Sequence, residues 1–310
     1  MATIDGHGGW ILWPNYTPSF AIAITFCITF AVLSVAHTLL AVWKRAGFVK
    51  PLVIGGVLEA IAYGCRAHAH YHPTSALPQS VDALFALVAP NFFAVTIFLY
   101  GARLIRASAM PKLSILSPVW MTRVFVGADV VSLALLVLGE GIYNGFRNLR
   151  GEKVGTDLVI AGLLVQLFNV CVFVGFAVTF HVRYARCVLA KDHPAEAKRV
   201  KRLLILTYKL CINLFGRTMF VLTLTGMGPV GFLSKKEFWI YVSDAAQMLL
   251  VMLFAFIWYF YDVDADLYES MEEEHVLSSS TDFKRVSDTA PRLTIHQSHP
   301  SRRGSLGYSA

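Results

Sequence analysis

Charge is scarce in this chain. Only 15% of its 310 residues are Asp, Glu, Lys or Arg, while 56% are hydrophobic and the mean hydropathy is +0.57. A soluble globular domain carries about a quarter charged residues, so that class is excluded. Cysteine is rare as well. Cys27, Cys65, Cys171, Cys187 and Cys211 lie mostly inside apolar runs, at no metal-ligand spacing and in no disulfide framework. A cleavable leader is also missing: Met1 to Ser19 has no basic n-region and holds Pro14 and Pro18. The first apolar span is therefore expected to act as its own uncleaved signal.

Several functional motifs are absent too. Gly101-Ala102-Arg103 stands where a receptor would carry Asp-Arg-Tyr, and the last span has no Asn-Pro-x-x-Tyr. That span also has no Lys, which excludes a retinal Schiff base. No Gly-x-x-x-x-Gly-Lys-Ser/Thr occurs, which argues against nucleotide-driven pumping within the chain. No metal triad and no Ser–His pair falls inside a span, so an intramembrane hydrolase is the weakest reading and no enzyme activity or cofactor is expected.

What the chain does have is long apolar runs. A bilayer crossing needs about 20 apolar residues at ~1.5 Å each. Seven runs qualify, giving an all-α polytopic membrane fold with spans at about 19–42, 50–68, 80–104, 119–141, 157–180, 203–227 and 237–260. Residues 1–18 form an N-terminal segment, 19–260 the membrane domain and 261–310 a polar tail expected to be disordered. With the N-terminus outside, the inner loops hold Lys44, Arg45, Lys50, Arg103, Arg106, Lys112, Arg183, Arg186, Lys191, Lys198, Arg199, Lys201 and Arg202. The outer loops hold Arg147, Arg150, Lys153, Lys235 and Lys236. This bias predicts an outside N-terminus and a cytoplasmic C-terminus. It also accounts for the formal charge of +7 without a nucleic-acid partner.

The last two spans, Lys209 to Tyr261, are joined by a short Gly-rich connection and so are antiparallel neighbours. Arg217 lies about ten residues and Asp244 about seven from that connection, roughly 15 and 11 Å of helix. Near one depth, the two charges are expected to pair inside the bundle, since an unpaired Arg in mid-helix costs ~2.5–3.5 kcal/mol. Glu59, Asn91, Asp129 and Asn169 also fall in the middle third of their spans, with Gln166 just outside that band. One polar residue per helix at a common level suggests a hydrated path. The alternative is that these groups only join helices, at ~0.6 kcal/mol per hydrogen bond. Glu59 and Arg66, seven apart, share a helix face. Pro90 is expected to kink the third span and free backbone groups for a neighbour or water. His37 reads as a hydrogen-bonded packing residue and Lys209 as a snorkelling one.

The polar and small residues also form an ordered set: Glu59, Tyr63 and Arg66; Ala89, Pro90, Ala94 and Arg103; Asp129, Ser132, Gly139 and Gly141; Gly162 and Gln166; Arg217; Glu237, Tyr241 and Asp244. Over roughly 50–260 this set resembles the fungal lipid-translocating exporter family, also called RTA-like proteins. The chain departs from the family pattern at Leu136, Glu140, Asn213 and Phe220, where Gln, Gly, Arg and Glu are usual, so the polar face of the sixth span is reduced to Arg217. The resemblance implies export of sphingoid long-chain bases and resistance to toxic amphiphiles at a fungal plasma membrane, with membrane lipids as partners. An amine-bearing amphiphile would need a carboxylate counter-ion when stripped of water. Glu59, Asp129 and Asp244 are the candidates. Asp244 is expected to be committed to Arg217; Glu59 could share Arg66, although their separation of about 10 Å of helix rise is long for a direct contact. Asp129 has only Arg123 nearby on its own helix, which makes it the most available. A receptor-like sensor of membrane lipid or drug stress is the alternative from a different class.

Three further features lie at the margins. His68, His70 and His72 would share one side of an extended segment, a candidate metal or porphyrin site. Asn15-Tyr16-Thr17 is an N-glycosylation sequon. In the tail, Glu269 and Glu272 to Glu274 are followed by Ser287 and Ser305, each beside paired basic residues and so expected substrates of a basophilic cytoplasmic kinase.

Overall fold

The computed structural model describes residues 3–4, 10–11, 18–72, 75–108, 110, 113–145, 149–189, 194–228, 233 and 237–260. Asn15, Lys235, Lys236 and the tail with Ser287 and Ser305 lie outside the described residues. Seven helices follow in order: α1 Phe20–Trp43, α2 Lys50–Ala69, α3 Ala76–Ala107, α4 Pro118–Gly145, α5 Leu149–Leu189, α6 Pro194–Met227 and α7 Glu237–Phe260. Each is long and apolar enough to cross a membrane. Among the described residues, a minimal antiparallel strand pair, Thr3–Ile4 with Trp10–Ile11, stands apart from the helices.

Helices α5 and α6 extend furthest past their apolar runs. At 41 residues α5 spans about 60 Å, roughly twice a hydrocarbon core. It and α6 carry Arg183, Arg186, Lys198, Arg199, Lys201 and Arg202 on helix rather than on the loop that the sequence suggests. Helix α7 is interrupted twice: a π-turn occupies Tyr241–Ala245, and a turn at Phe256 separates Ala246–Ala255 from Ile257–Phe260.

Short connections make successive helices neighbours, and contacts of α7 with α6 and α1 close the bundle. Helix α3 lies at its centre, packed on α2, α4 and α6. Burial covers 67% of its most apolar stretch, against 22% for that of α1. Outward faces are apolar instead of charged: α1 exposes Ile28, Val32, Val35 and Leu39 at helical spacing and turns Phe30, Ser34 and His37 inward. His37 fulfils its expected role. Its Nδ1 meets Tyr259 Oη at 3.1 Å, its Nε2 donates to Met252 O at 3.0 Å, and its ring stacks on Phe256.

Helices α4 and α5 approach most closely at glycines. A Cβ on Gly155 would stand 2.7 Å from Gly139 O and from Tyr143 N, and one on Gly139 would stand 2.8 Å from Gly155 O. Association in lipid depends on such packing, because no hydrophobic effect drives helices together there. Gly155→Val should therefore part the two helices and sharply lower the monodisperse fraction of detergent-extracted protein on size-exclusion chromatography. Gly175→Val, on the same helix with open space around it, should leave that fraction unchanged.

Candidate functional site

The site begins with a proline. Pro90 has no N–H to give to Ala86 O, four residues earlier in α3. In hydrocarbon a bare carbonyl costs several kcal/mol. Arg217 of α6 fills the gap: its Nη2 donates to Ala86 O, while its Nε donates to Asp244 Oδ1 of α7 at 2.6 Å. The guanidinium is 1% exposed and thus joins three helices. Asp244 lies in the π-turn of α7, and such single turns re-aim side chains at functional positions. Arg217 Nη1 has no hydrogen-bond partner among the described residues.

A second ion pair, which the sequence reading does not include, lies next to the first. Arg66 of α2 is not shared with Glu59. Its Nε and Nη2 donate to Asp82 Oδ2 of α3 at 3.1 and 2.9 Å, and both side chains are buried. The reason is geometric. Glu59 is about 10 Å of helix away from Arg66, whereas Asp82 faces it across the short α2–α3 connection. The signal was present: Arg66 stands three residues before the end of α2 and Asp82 six after the start of α3. The Arg66 guanidinium also lies over the rings of Tyr63 and Tyr241, at 5.5 and 6.0 Å.

Glu59 is left between the two pairs. It is fully buried, and neither carboxylate oxygen has a hydrogen-bond partner among the described residues. Asp244, Arg217, Asp82 and Arg66 all stand within its electrostatic reach. Gly55 packs against Phe93 and Ala89 O, and Arg66 against Asp82. That antiparallel register puts Glu59 level with the Ala86–Pro90 break in α3.

Asp129 belongs to a different group. Gly139 meets Gly155, Ser132 Oγ donates to Gly162 O at 2.8 Å, and Asn169 Nδ2 donates to Phe125 O at 2.9 Å. These contacts share one α4–α5 register, which sets Asp129 level with Gln166. The Phe98–Phe125 contact and the Leu87–Leu136 cluster fix the α3–α4 register and set Asn91 level with Ser132. Helix α3 thus turns Asp82, Ala86, Ala89 and Phe93 toward the ion pairs and Leu87, Asn91, Ala94 and Phe98 toward α4. The side chains of Asn91, Asp129 and Gln166 are buried without hydrogen-bond partners among the described residues. No charged side chain of the described residues stands within electrostatic reach of Asp129; Arg123 is exposed and covers Trp120. The six expected path residues accordingly fall into two groups on opposite faces of α3. Glu59, Arg217 and Asp244 form one, and Asn91, Asp129 and Asn169 the other.

The histidines do not share one side. The chain stays helical to Ala69 and then turns, so His68 and His72, four apart, come together at 4.8 Å between ring centroids. His70 points elsewhere, with Nδ1 at 2.7 Å from Pro18 O and its ring near Phe20. Among the described residues, no group of three or more His, Cys, Asp or Glu could hold a metal ion.

Both polar groups fall inside residues 52–263, the segment matched by the profile of the family described as RTA1 like protein. The chain belongs to the RTA1-like family. Among curated proteins, this RTA1-like chain is 28% identical to Protoporphyrin uptake protein 1 of Saccharomyces cerevisiae, over 82% of its own length and 92% of the relative's. It is 24% identical to Protein RTA1 of the same yeast, over 77% and 82% of the two chains. It is 22% identical to Sphingoid long-chain base transporter RSB1, also of that yeast, over 52% of this chain and 43% of the other. No solved structure matches it.

Proposed function

We propose that this RTA1-like protein moves amine-bearing amphiphiles, such as sphingoid long-chain bases, across a fungal plasma membrane and so protects the cell from them. The N-terminus is placed outside and the tail in the cytoplasm, as the distribution of Lys and Arg favours. The observation that carries this reading is the Asp129 carboxylate. It is buried 1% exposed, unpartnered and without a charged neighbour among the described residues, with unsatisfied Asn91 and Gln166 at nearby levels. A carboxylate so placed is a counter-ion for an ammonium stripped of water, and the amides supply acceptors for its remaining hydrogens. The relative named as a sphingoid long-chain base transporter supports the substrate class.

Asp129→Asn keeps the shape and removes the charge. It should abolish protection against a sphingoid base in growth assays while surface abundance stays normal. Full protection at matched abundance would overturn the counter-ion role and favour the sensor reading, in which the polar groups only hold helices together.

A planar amphiphile is a second reading, favoured by one observation. A groove of about 590 Å³ runs between α1 and α2, lined by Cys27, Ser34, Ile61, Cys65 and His68 among others, and one relative is named for protoporphyrin uptake. Liposomes carrying the protein, offered a labelled sphingoid base or protoporphyrin on either side, separate the two substrates and report direction.

A further inference from the structure

We infer that Glu59 is a proton-binding site, and that its ionisation draws Arg217 away from the Ala86 carbonyl and the Asp244 carboxylate. The inference adds a proton step to the transport reading and rests on that reading only for its purpose.

The first ground is a charge count. The buried cluster on this side of α3 holds three carboxylates, Glu59, Asp82 and Asp244, and two guanidinium groups, Arg66 and Arg217. Asp82 is paired with Arg66 and Asp244 with Arg217. The third carboxylate has no ion-pair or hydrogen-bond partner among the described residues and is fully buried. An ionised carboxylate left in this state is far costlier than a neutral carboxyl group. The groups that face it are Tyr63 and Arg66 from α2, Asp82 from α3, Arg217 from α6 and Asp244 from α7. The two acids add to the cost of a negative charge, and the two cations are already engaged.

The second ground is the guanidinium. Arg217 uses Nε and Nη2, and Nη1 is unpartnered among the described residues. One donor is therefore available to Glu59 when the carboxyl releases its proton to water. The carboxylate then accepts the Nη1 hydrogen bond, and the pull on Arg217 weakens its other two contacts. Those contacts hold the carbonyl that Pro90 leaves bare in α3 and the π-turn of α7. Reprotonation of Glu59 reverses the change. Because α3 turns Asn91 toward Asp129 on its other face, movement at the break reaches the proposed substrate group.

Infrared difference spectroscopy of the purified full chain in lipid nanodiscs tests this without any substrate. A protonated-carboxyl stretching band that disappears on raising pH should be present in the natural chain. Asp129 is buried and unpartnered as well and contributes a band of its own, so the Glu59 band is the one missing from Glu59→Gln and retained in Asp129→Asn. Should Glu59→Gln fold too poorly to purify, Glu59→Asp should keep the band at a shifted frequency. If no titrating band is lost in Glu59→Gln or shifted in Glu59→Asp, or if the natural chain has no such band, the proton site is overturned. Transport failure cannot imitate these results, since the amphiphile is absent from the sample. A separate assay in proteoliposomes addresses the transport reading: with Glu59 intact, collapsing the pH gradient should change amphiphile flux, and Glu59→Gln should make the flux insensitive to it.

Discussion

Arg217→Ala is expected to remove nearly all folded protein. The change strands Asp244 as an uncompensated buried charge, which costs ~3–5 kcal/mol, and leaves Ala86 O bare, a further ~1–3 kcal/mol. Typical native stability is only ~5–15 kcal/mol, so the sum is disabling. The measurement is the monodisperse fraction after detergent extraction, followed by size-exclusion chromatography of a fluorescent fusion. The origin of the loss can be dissected in the same assay. Adding Pro90→Ala restores an N–H for Ala86 O and should recover part of the fraction. Adding Asp244→Asn removes the stranded charge and should recover another part. Exchange of the two charges, Arg217→Asp with Asp244→Arg, should recover less than full yield, because the new Arg on α7 has no reason to reach Ala86 O. An Arg217→Ala protein with normal yield would show that these contacts do not hold the bundle.

Asp82→Ala should rank next. Arg66 would remain buried with its carboxylate gone, again at ~3–5 kcal/mol. Arg66→Met combined with Asp82→Leu should recover much of the loss, since apolar replacements for a buried pair are often neutral or stabilising. Yield and thermal stability in detergent check both variants. A double variant no better than Asp82→Ala would mean that Arg66 matters for more than its pairing, the stacking on Tyr63 and Tyr241 being the first place to look.

Hydrophobic runs made the seven spans legible, because length and apolarity are what a bilayer demands. They did not reveal how far α5 and α6 continue, since a helix needs no apolar run once it leaves lipid. Counting residues from a short connection placed Arg217 beside Asp244, and the same counting across the α2–α3 connection would have found Asp82. Glu59 shares a helix face with Arg66, but a shared face seven residues apart does not bring the side chains together. Depth alone does not separate Asp129 from the ion pairs. It gives a level in the membrane but not a side of α3, so two groups on opposite faces read as one path. The histidines were misplaced by a choice of period: alternation holds for extended chain, and this segment is helix and turn. The link from Pro90 to Arg217 is not legible in the sequence, although the identity of the freed carbonyl follows from the four-residue helical bond alone.

The side chains that close broken helices come from far along the chain. Arg217 follows the Ala86 it caps by 131 residues, and His37 precedes the Met252 it caps by 215. During synthesis α3 is complete long before α6 exists. Until then the Ala86 carbonyl cannot be left facing lipid, and it must stay near water, in the translocation machinery or against another protein. The N-terminal half of this chain is thus a client of its own C-terminal half. Truncation after α5 should yield a product that is retained and degraded, and a separately expressed α6–α7 fragment should rescue it.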